Sequence, residues 1–289
     1  MNIKEFMRYS TNSLMNANIE APVFEAGVML SYVLKCDRAY IYSHDDRVLE
    51  TNVLEVLEYM IEQRTNNVPL QYLVGETGFM SLSFVVSPAV LIPRQDTEIL
   101  VEKCIELVNR KTCVRSHKGK VKVLDLCTGS GCIAISIAYY CFNSRVVACD
   151  VSQDALDIAK VNSERNGVQN RLELRCGDLF EALESEQQFD IIVSNPPYIE
   201  TKTIAELQKE VRDYEPHLAL DGGEDGLDFY RRIITQATGY LTYGGCLAFE
   251  IGYNQGQSVS ELMKKDFNNI EILKDISGND RVVLGIFLK

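Results

Sequence analysis

Apolar positions over the first 64 residues repeat at helical spacing, and no segment there alternates in the two-residue period of a strand. Ile3, Phe6, Met7 and Leu14 share one helical face, and Pro22 can open a second helix through Phe24, Val28 and Val33. Val53, Val56, Leu57, Met60 and Ile61 form a third stripe behind Thr51, a residue type suited to an N-cap. A small helical bundle is therefore expected over residues 1–76. From 77 to 92 the pattern changes to partial alternation with β-branched residues and Pro88, which predicts a β-hairpin linker.

From residue 93 onward strand-like and helix-like segments alternate. Strands are expected at 121–126, 145–150, 172–176, 189–193 and 245–251, with helices at 132–142 and 152–166. Ser152 can cap the second of these helices and Gly167 can end it. This order predicts an α/β domain over 93–289, a mostly parallel, Rossmann-like sheet with helices on both faces. The end of the chain differs: 270–276 and 281–288, separated by Ser277-Gly278-Asn279-Asp280, read as an antiparallel hairpin, for seven strands in all.

Length and composition narrow the function classes. The 289 residues are 46% hydrophobic and 24% charged, ordinary values for a globular chain large enough to bury a core. No apolar run approaches the ~20 residues needed to cross a bilayer, and the N-terminus matches neither a secretory nor a transit signal, so a cytoplasmic protein is expected. Nine cysteines (Cys36, Cys104, Cys113, Cys127, Cys132, Cys141, Cys149, Cys176 and Cys246) contain no C-x2-C pair. With three histidines, no metal site is expected, and the cysteines read as reduced thiols.

Charge argues about partners. The chain carries 29 basic and 41 acidic side chains, a net of −12, which opposes an extended nucleic-acid footprint. Residues 1–90 alone hold six basic and eleven acidic side chains, a net of −5 that suits a basic protein partner as well as a merely solvated surface. The stretch 110–120 has five Lys or Arg and no acid; it reads as a surface loop, with RNA contact as the alternative.

Candidate chemistry begins after the strand at 121–126. Gly129 and Gly131 allow a sharp turn and a close backbone approach at the opening of a helix. Gly129, Gly131 and Ala134 also fit G-x-G-x-x-A, with Asp150 placed 21 residues after Gly129, so a nicotinamide-dinucleotide oxidoreductase competes on this loop alone. Asp125 separates the two readings, because a carboxylate in this crevice repels a pyrophosphate but suits a cationic ligand. Asp125-Leu126-Cys127-Thr128-Gly129-Ser130-Gly131 resembles the first motif of class I S-adenosylmethionine-dependent methyltransferases. That resemblance implies that Cys127, Thr128, Gly129, Ser130 and Gly131 wrap the methionine end. It also implies that Asp150 chelates the ribose hydroxyls, and that Asp178 receives the adenine amino group with Leu179 packed on the ring.

The strand at 189–193 runs into Asn195-Pro196-Pro197-Tyr198. Two prolines fix φ and remove two donors, so the segment cannot continue a ladder and presents its acceptors rigidly. The Asn195 side-chain oxygen and the Pro196 carbonyl can accept from an –NH2 group, while Tyr198 offers a face to a planar nitrogen-bearing group. Two such acceptors help an amide nitrogen attack a sulfonium methyl, because orienting it favours the loss of conjugation. The same tetrapeptide suits adenine or guanine amino groups, and a nucleic-acid N-methyltransferase is the alternative to a protein one. A cofactor-binding module without activity is opposed by the intact Asn195-Pro196-Pro197-Tyr198 run.

Further stretches decide between these. Pro69-Leu70-Gln71-Tyr72-Leu73-Val74-Gly75, Val90-Leu91-Ile92-Pro93-Arg94, Glu215-Pro216, the run from Leu218 to Gly226, Glu250-Ile251-Gly252 with Gln255-Gly256, and Asp280-Arg281-Val282 resemble the PrmC/HemK family. The resemblance implies N5-methylation of the glutamine in the Gly-Gly-Gln loop of class-1 peptide chain release factors. S-adenosyl-L-methionine would be the donor and S-adenosyl-L-homocysteine the product. Asn195, Pro196, Pro197 and Tyr198 would then hold and border the glutamine amide, with Asn195 also touching the cofactor, the helical domain would help grip the release factor, and the enzyme would act as a monomer without direct nucleic-acid contact. Arg94 and Glu98 read as structural or cleft-rim groups. Cys127 departs from the family's usual glycine, and Gln95-Asp96 from its usual Pro-Glu.

Overall fold

The computed structural model describes residues 1–110, 119–184 and 187–288; Cys113 and most of the basic run at 110–120 lie outside the described residues. Two compact units form, Met1–Gly75 with Gln208–Tyr214, and Glu76–Leu207 with Glu215–Lys289. The expected hairpin thus packs within the second unit, and a short segment from late in the chain joins the first.

The first unit contains helices α1 (Ile3–Asn16), α2 (Pro22–Leu34), α3 (Arg38–Ser43), α4 (Thr51–Thr65) and α5 (Leu70–Val74). Its core is built from Ile3, Phe6, Leu14, Met29, Leu30, Leu57, Met60 and Ile61. Two expectations change here. Thr51 is the first helical residue rather than the cap, since Glu50 takes that place without a side-chain hydrogen bond. Val56 and Phe24 are half exposed, because the buried stripe of α4 runs through Leu57, Met60, Ile61 and Arg64 and that of α2 through Ala26, Met29 and Leu30. The Arg64 guanidinium is buried and donates to Glu25 at 2.6 and 3.2 Å and to the Val68 carbonyl at 3.2 Å. It also pairs at 3.0 Å with Glu210 of the late segment, and the Tyr214 hydroxyl donates to the Asn66 carbonyl at 2.9 Å. One buried cation thereby ties three pieces of chain, and leaving it unpaired would be severely destabilising.

The second unit opens with strands β1 (Glu76–Phe79) and β2 (Leu82–Val85), paired antiparallel across Met80 and Ser81, both at positive φ as a two-residue hairpin turn requires. Residues 86–92 are irregular, so the hairpin is shorter than the pattern implied. Phe79 and Phe84 bury into the core beneath it. The main sheet follows: β3 (Val121–Leu126), β4 (Ser144–Asp150), β5 (Leu172–Cys176), β6 (Phe189–Ser194), β7 (Leu241–Glu250), β8 (Phe267–Lys274) and β9 (Asp280–Phe287). Their spatial order is β5-β4-β3-β6-β7-β9-β8, parallel except where β9 pairs antiparallel with β7 and β8. Helices α6 (Glu98–Arg110), α7 (Cys132–Tyr140), α8 (Gln153–Arg165), α10 (Asp228–Ala237) and α11 (Gly256–Met263) flank it, while α9 (Lys209–Tyr214) belongs to the first unit.

Strand side chains alternate between two cores, as pleating dictates. Val123, Val146, Ile191, Val193 and Ala248 face α6 and α7. Leu124, Cys149, Ile192, Leu247 and Phe249 face α10 and α11. Burial on both faces explains why these strands read as apolar runs. Ser152 caps α8, accepting from Ala155 N at 3.2 Å, as its position suggested. Strand β7 starts at Leu241 instead of 245, because Gly244 and Gly245 mark an irregularity within the strand and not its beginning. Helix α7 ends two residues early, leaving Phe142 exposed under the Arg171 guanidinium.

Sheet order fixes where a ligand can go. The chain leaves β3 toward β4 and β5, then returns to β6 on the other side of β3. The crevice at the carboxyl ends of β3, β4, β5 and β6 is therefore the topological switch point.

Candidate active site

A cleft of about 1010 Å³ opens there, lined by Cys127, Thr128, Gly129, Asp150, Asp178, Leu179, Asn195 and Pro197 among others. Beneath the lining lies Asp125, fully buried in β3 and itself not part of the cleft wall. One oxygen, Oδ2, accepts from Thr128 Oγ1 at 2.6 Å and from Ala134 N at 3.2 Å; Oδ1 is buried without a partner. Burial pushes this carboxyl up to about 7, opposed by its two donors and aided by the nearby Asp150 charge. An acid with one vacant buried oxygen awaits a cation or a donor.

The loop after β3 is cut to expose backbone. Cys127, Gly129 and Gly131 all lie at positive φ (59°, 53° and 81°). Cys127 holds this left-handed conformation although it carries a side chain, at a strain of about 1 to 2 kcal/mol. At Gly129 a methyl group would find open space, whereas at Gly131 it would stand 2.8 Å from Ile135 Cδ1 and 3.1 Å from Ala159 Cβ. Gly129→Ala should therefore lose about 1 kcal/mol of stability and Gly131→Ala more, about 2 to 3 kcal/mol, because packing is added to strain. Urea unfolding of the two variants gives this order directly; equal losses would remove the packing argument. Asn162, which sequence reasoning missed, steadies the loop: its amide donates to the Ser130 carbonyl at 2.9 Å and exchanges two hydrogen bonds with Val85 of β2.

Asp150 ends β4 and accepts from Gly129 N at 2.8 Å and Ser152 N at 3.0 Å. Each oxygen keeps a further lone pair, so ribose hydroxyls remain within its capacity. Burial pushes its carboxyl up, with those two N–H groups pulling the other way. Asp178 does not cap the short helix after it; its Oδ2 pairs with Arg232 at 2.6 Å in an exposed ion pair. Leu179 follows at φ 53° and is buried, with Phe229 as a further lining residue that no sequence signal indicated.

Cys127, Cys132 and Cys149 also line the cleft. Burial pushes all three thiols up, Cys132 and Cys149 to about 12, so they stay protonated and poorly nucleophilic beside any electrophile bound here. The residues present fit S-adenosylmethionine: a buried carboxylate oxygen without a partner beneath the loop, a backbone cradle at positive φ, acids at or just past the carboxyl ends of three adjacent strands and no basic group for a pyrophosphate in the loop.

Residues 195–198 follow β6 as expected, but only Asn195 and Pro197 reach the cleft wall. Asn195 is partly exposed, and its side chain has no hydrogen-bond partner among the described residues. Pro196 is buried. Tyr198 does not line the cleft; its hydroxyl donates to Glu250 Oε1 at 3.3 Å and burial pushes its phenol up. The face expected to border a substrate is thus occupied at its polar end by protein. Arg94 does line the cleft and pairs with the buried Glu215, whereas Glu98 accepts from Met80 N at 2.6 Å and serves the hairpin turn. Thr97, Pro216 and Leu218 also line the wall; the Glu215-Pro216 motif and the run from Leu218 to Gly226 pointed to the last two, and no sequence signal to Thr97. Among the described residues there is no cluster suited to a metal, and no helix is long and apolar enough to cross a membrane.

Comparison with known proteins agrees with this geometry. The PrmC N-terminal domain family matches residues 5–75, and the methyltransferase small domain family residues 109–223. A release factor glutamine methyltransferase of Clostridium acetobutylicum is 40% identical over 99% of both chains. Another from Koribacter versatilis is 38% identical over 99% of this chain and 98% of its own. Among solved structures, the 16S rRNA N2 G1207 methyltransferase of T. thermophilus, in complex with AdoMet and guanosine, superimposes with a TM-score of 0.52 at 19% identity. It covers 73% of this chain and 49% of that one, a likeness of fold. With a class I methyltransferase fold, a cleft that fits S-adenosylmethionine and 40% identity along its whole length, the chain belongs to the release factor glutamine methyltransferase family.

Proposed function

We propose that the protein transfers a methyl group from S-adenosyl-L-methionine to the side-chain amide nitrogen (N5) of the glutamine in the Gly-Gly-Gln motif of class-1 peptide chain release factors. The observation that carries the reading is Asn195: an amide side chain in the cleft wall, directly after β6, with no hydrogen-bond partner among the described residues. Its oxygen and the Pro196 carbonyl are the two acceptors for the substrate –NH2.

When bound, S-adenosyl-L-methionine supplies an electrophilic methyl carbon on a sulfonium. Asp125 Oδ1 would hold its ammonium, directly or through water, the 127–131 backbone its methionine end, Asp150 its ribose, and Asp178 with Leu179 its adenine. Asn195 and Pro196 turn the amide nitrogen so that its lone pair leaves conjugation and lies in line with the methyl group; positioning of this kind can supply several kcal/mol of a barrier. No base is needed beforehand, because the nitrogen becomes acidic only as it gains positive charge, and its proton then leaves to water. The Pro196-Pro197 pair supplies rigidity. The acidic helical unit, with eight basic and twelve acidic side chains over Met1–Gly75 and Gln208–Tyr214 for a net of −4, is the surface proposed to engage the release factor.

Methyl transfer from labelled S-adenosyl-L-methionine to a purified release factor, with its Gly-Gly-Gln glutamine intact or changed to alanine, tests this reading. Label is expected on the intact factor alone. Label on neither, with cofactor binding confirmed by calorimetry, would leave a methyltransferase with another substrate.

A further inference from the structure

Two stretches that sequence reading singled out without a role, Glu250-Ile251-Gly252 and Asp280-Arg281-Val282, meet behind the 195–198 segment. Glu250 ends β7 one residue past Phe249, the partner of Ser194 in the sheet, and is 2% exposed. Its Oε1 accepts from the Tyr198 hydroxyl at 3.3 Å, its backbone carbonyl accepts from the Tyr230 hydroxyl at 2.9 Å, and its Oε2 is buried without a partner. Arg281, on β9 beside it, is itself held by Asp96 and Asp275 at 3.1 Å each, and favours the charged form of Glu250. Thr97, a cleft residue, faces Glu250 from another side. Glu250 itself does not line the cleft.

Stability does not explain this arrangement. A buried carboxylate with one unsatisfied oxygen is a net liability, and a buried ionic cluster is often replaceable by apolar side chains without loss. What the cluster does hold is Tyr198, at both ends. Gln255 Nε2 donates to the Tyr198 carbonyl at 3.0 Å and to the Gly226 carbonyl at 3.2 Å, while Gln255 Oε1 accepts from Gly252 N at 2.9 Å. At the other end of the segment, Ser194 Oγ donates to the Leu126 carbonyl at 2.8 Å. Between these anchors stand two prolines with fixed φ, so the direction of Asn195 follows from where Tyr198 is pinned.

Resting on the proposed amide methylation, we infer that Glu250 is a positioning residue. By holding the Tyr198 phenol it fixes the angle at which Asn195 Oδ1 and the Pro196 carbonyl converge on the substrate nitrogen. Its contribution is to kcat and passes through Tyr198; it touches neither cofactor nor substrate. A displacement of about 1 Å in such a clamp is enough to lose about 100-fold in rate.

The test uses the full chain with a release factor as substrate and compares Glu250→Ala, Glu250→Gln, Tyr198→Phe and the double variant Glu250→Ala/Tyr198→Phe. Glu250→Ala and Tyr198→Phe are each expected to lose about 100-fold in kcat, with the Kd for S-adenosyl-L-methionine unchanged within about twofold. The double variant should lose no more than either single one, because both remove one hydrogen bond. Glu250→Gln, which keeps the acceptor, should recover most of the rate. Losses that multiply in the double variant, wild-type kcat in Glu250→Ala, or a Gln variant as slow as the Ala variant would each overturn the inference. Should Glu250→Ala fail to fold, Tyr198→Phe at full rate would overturn it equally. A wild-type enzyme that labels no release factor would instead remove the function on which the inference rests.

Discussion

Asn195→Ala is expected to lower turnover on a release factor at least about 100-fold, a loss of about 3 kcal/mol in the transition state. The affinity for S-adenosyl-L-methionine and the melting temperature should change little. The separation follows from what Asn195 touches. Its side chain makes no hydrogen bond among the described residues and is not fully buried, so truncation removes no native partner and opens no closed cavity. What it removes is one of two acceptors aimed at the reacting nitrogen, an interaction that grows as the amide loses conjugation and the nitrogen gains positive charge. A contact made more strongly in the transition state than in the ground state appears in kcat. Single-turnover rates, cofactor titration by calorimetry and thermal unfolding of the same variant check the three parts. Unchanged turnover would remove Asn195 from the mechanism, and a large loss of cofactor affinity would make it a cofactor ligand instead.

Much of this site was legible in the sequence because its chemistry depends on backbone geometry, which constrains residue type locally. Glycine at 129 and 131, acids at the ends of β3 and β4, and two prolines after β6 announce positive φ, strand termini and a rigid break without any knowledge of packing. Strand boundaries at 121–126 and 172–176 coincide with the observed ones for different reasons: β3 is a buried central strand and reads as an apolar run, whereas β5 is a half-exposed edge strand that alternates as Leu172-Glu173-Leu174-Arg175. The failures have the opposite character. An aromatic after two prolines looks presented to a ligand, but Tyr198 lies outside the cleft lining and its hydroxyl donates to Glu250, 52 residues away in the chain, a partner that no local pattern indicates. Asn162 lies in the middle of a helix with no local signal, yet it joins β2 to the loop that holds Ser130. Helix α3 spans six residues, too few for a periodicity to register. The late segment Gln208–Tyr214 follows its own neighbours in sequence but packs by way of Glu210 on Arg64 of the first unit, a long-range ion pair that no window of sequence contains.

Cofactor affinity should rise with pH up to about 7 and then level off, through Asp125. Burial raises this carboxyl from its ordinary 3.8 to about 7, so in the free protein it is largely protonated at pH 6 and ionised at pH 8. A protonated acid offers an ammonium no charge, and binding that requires the carboxylate must first expel the proton. Each unit below pH 7 then weakens binding by up to about tenfold, or about 1.4 kcal/mol, so between pH 8 and pH 5 the dissociation constant should grow about 100-fold. The stability of the free protein moves the opposite way. The folded state binds this proton more tightly than the unfolded chain, so the stabilisation that comes with protonation is fully present below pH 3.8 and is lost as pH rises through about 7. A shift of about three units corresponds to about 4 kcal/mol, an upper bound for a group whose Oδ2 keeps its Thr128 and Ala134 donors in both forms. Asp125→Asn separates this group from Asp150 and Glu250, which burial also raises. The difference in stability between wild type and variant should slope between pH 4 and pH 7 and be flat above, and the variant should lose the pH dependence of cofactor binding along with most of its affinity. A variant that binds S-adenosyl-L-methionine as tightly as wild type at pH 8 would take Asp125 out of the ammonium site and leave its vacant oxygen to a buried water.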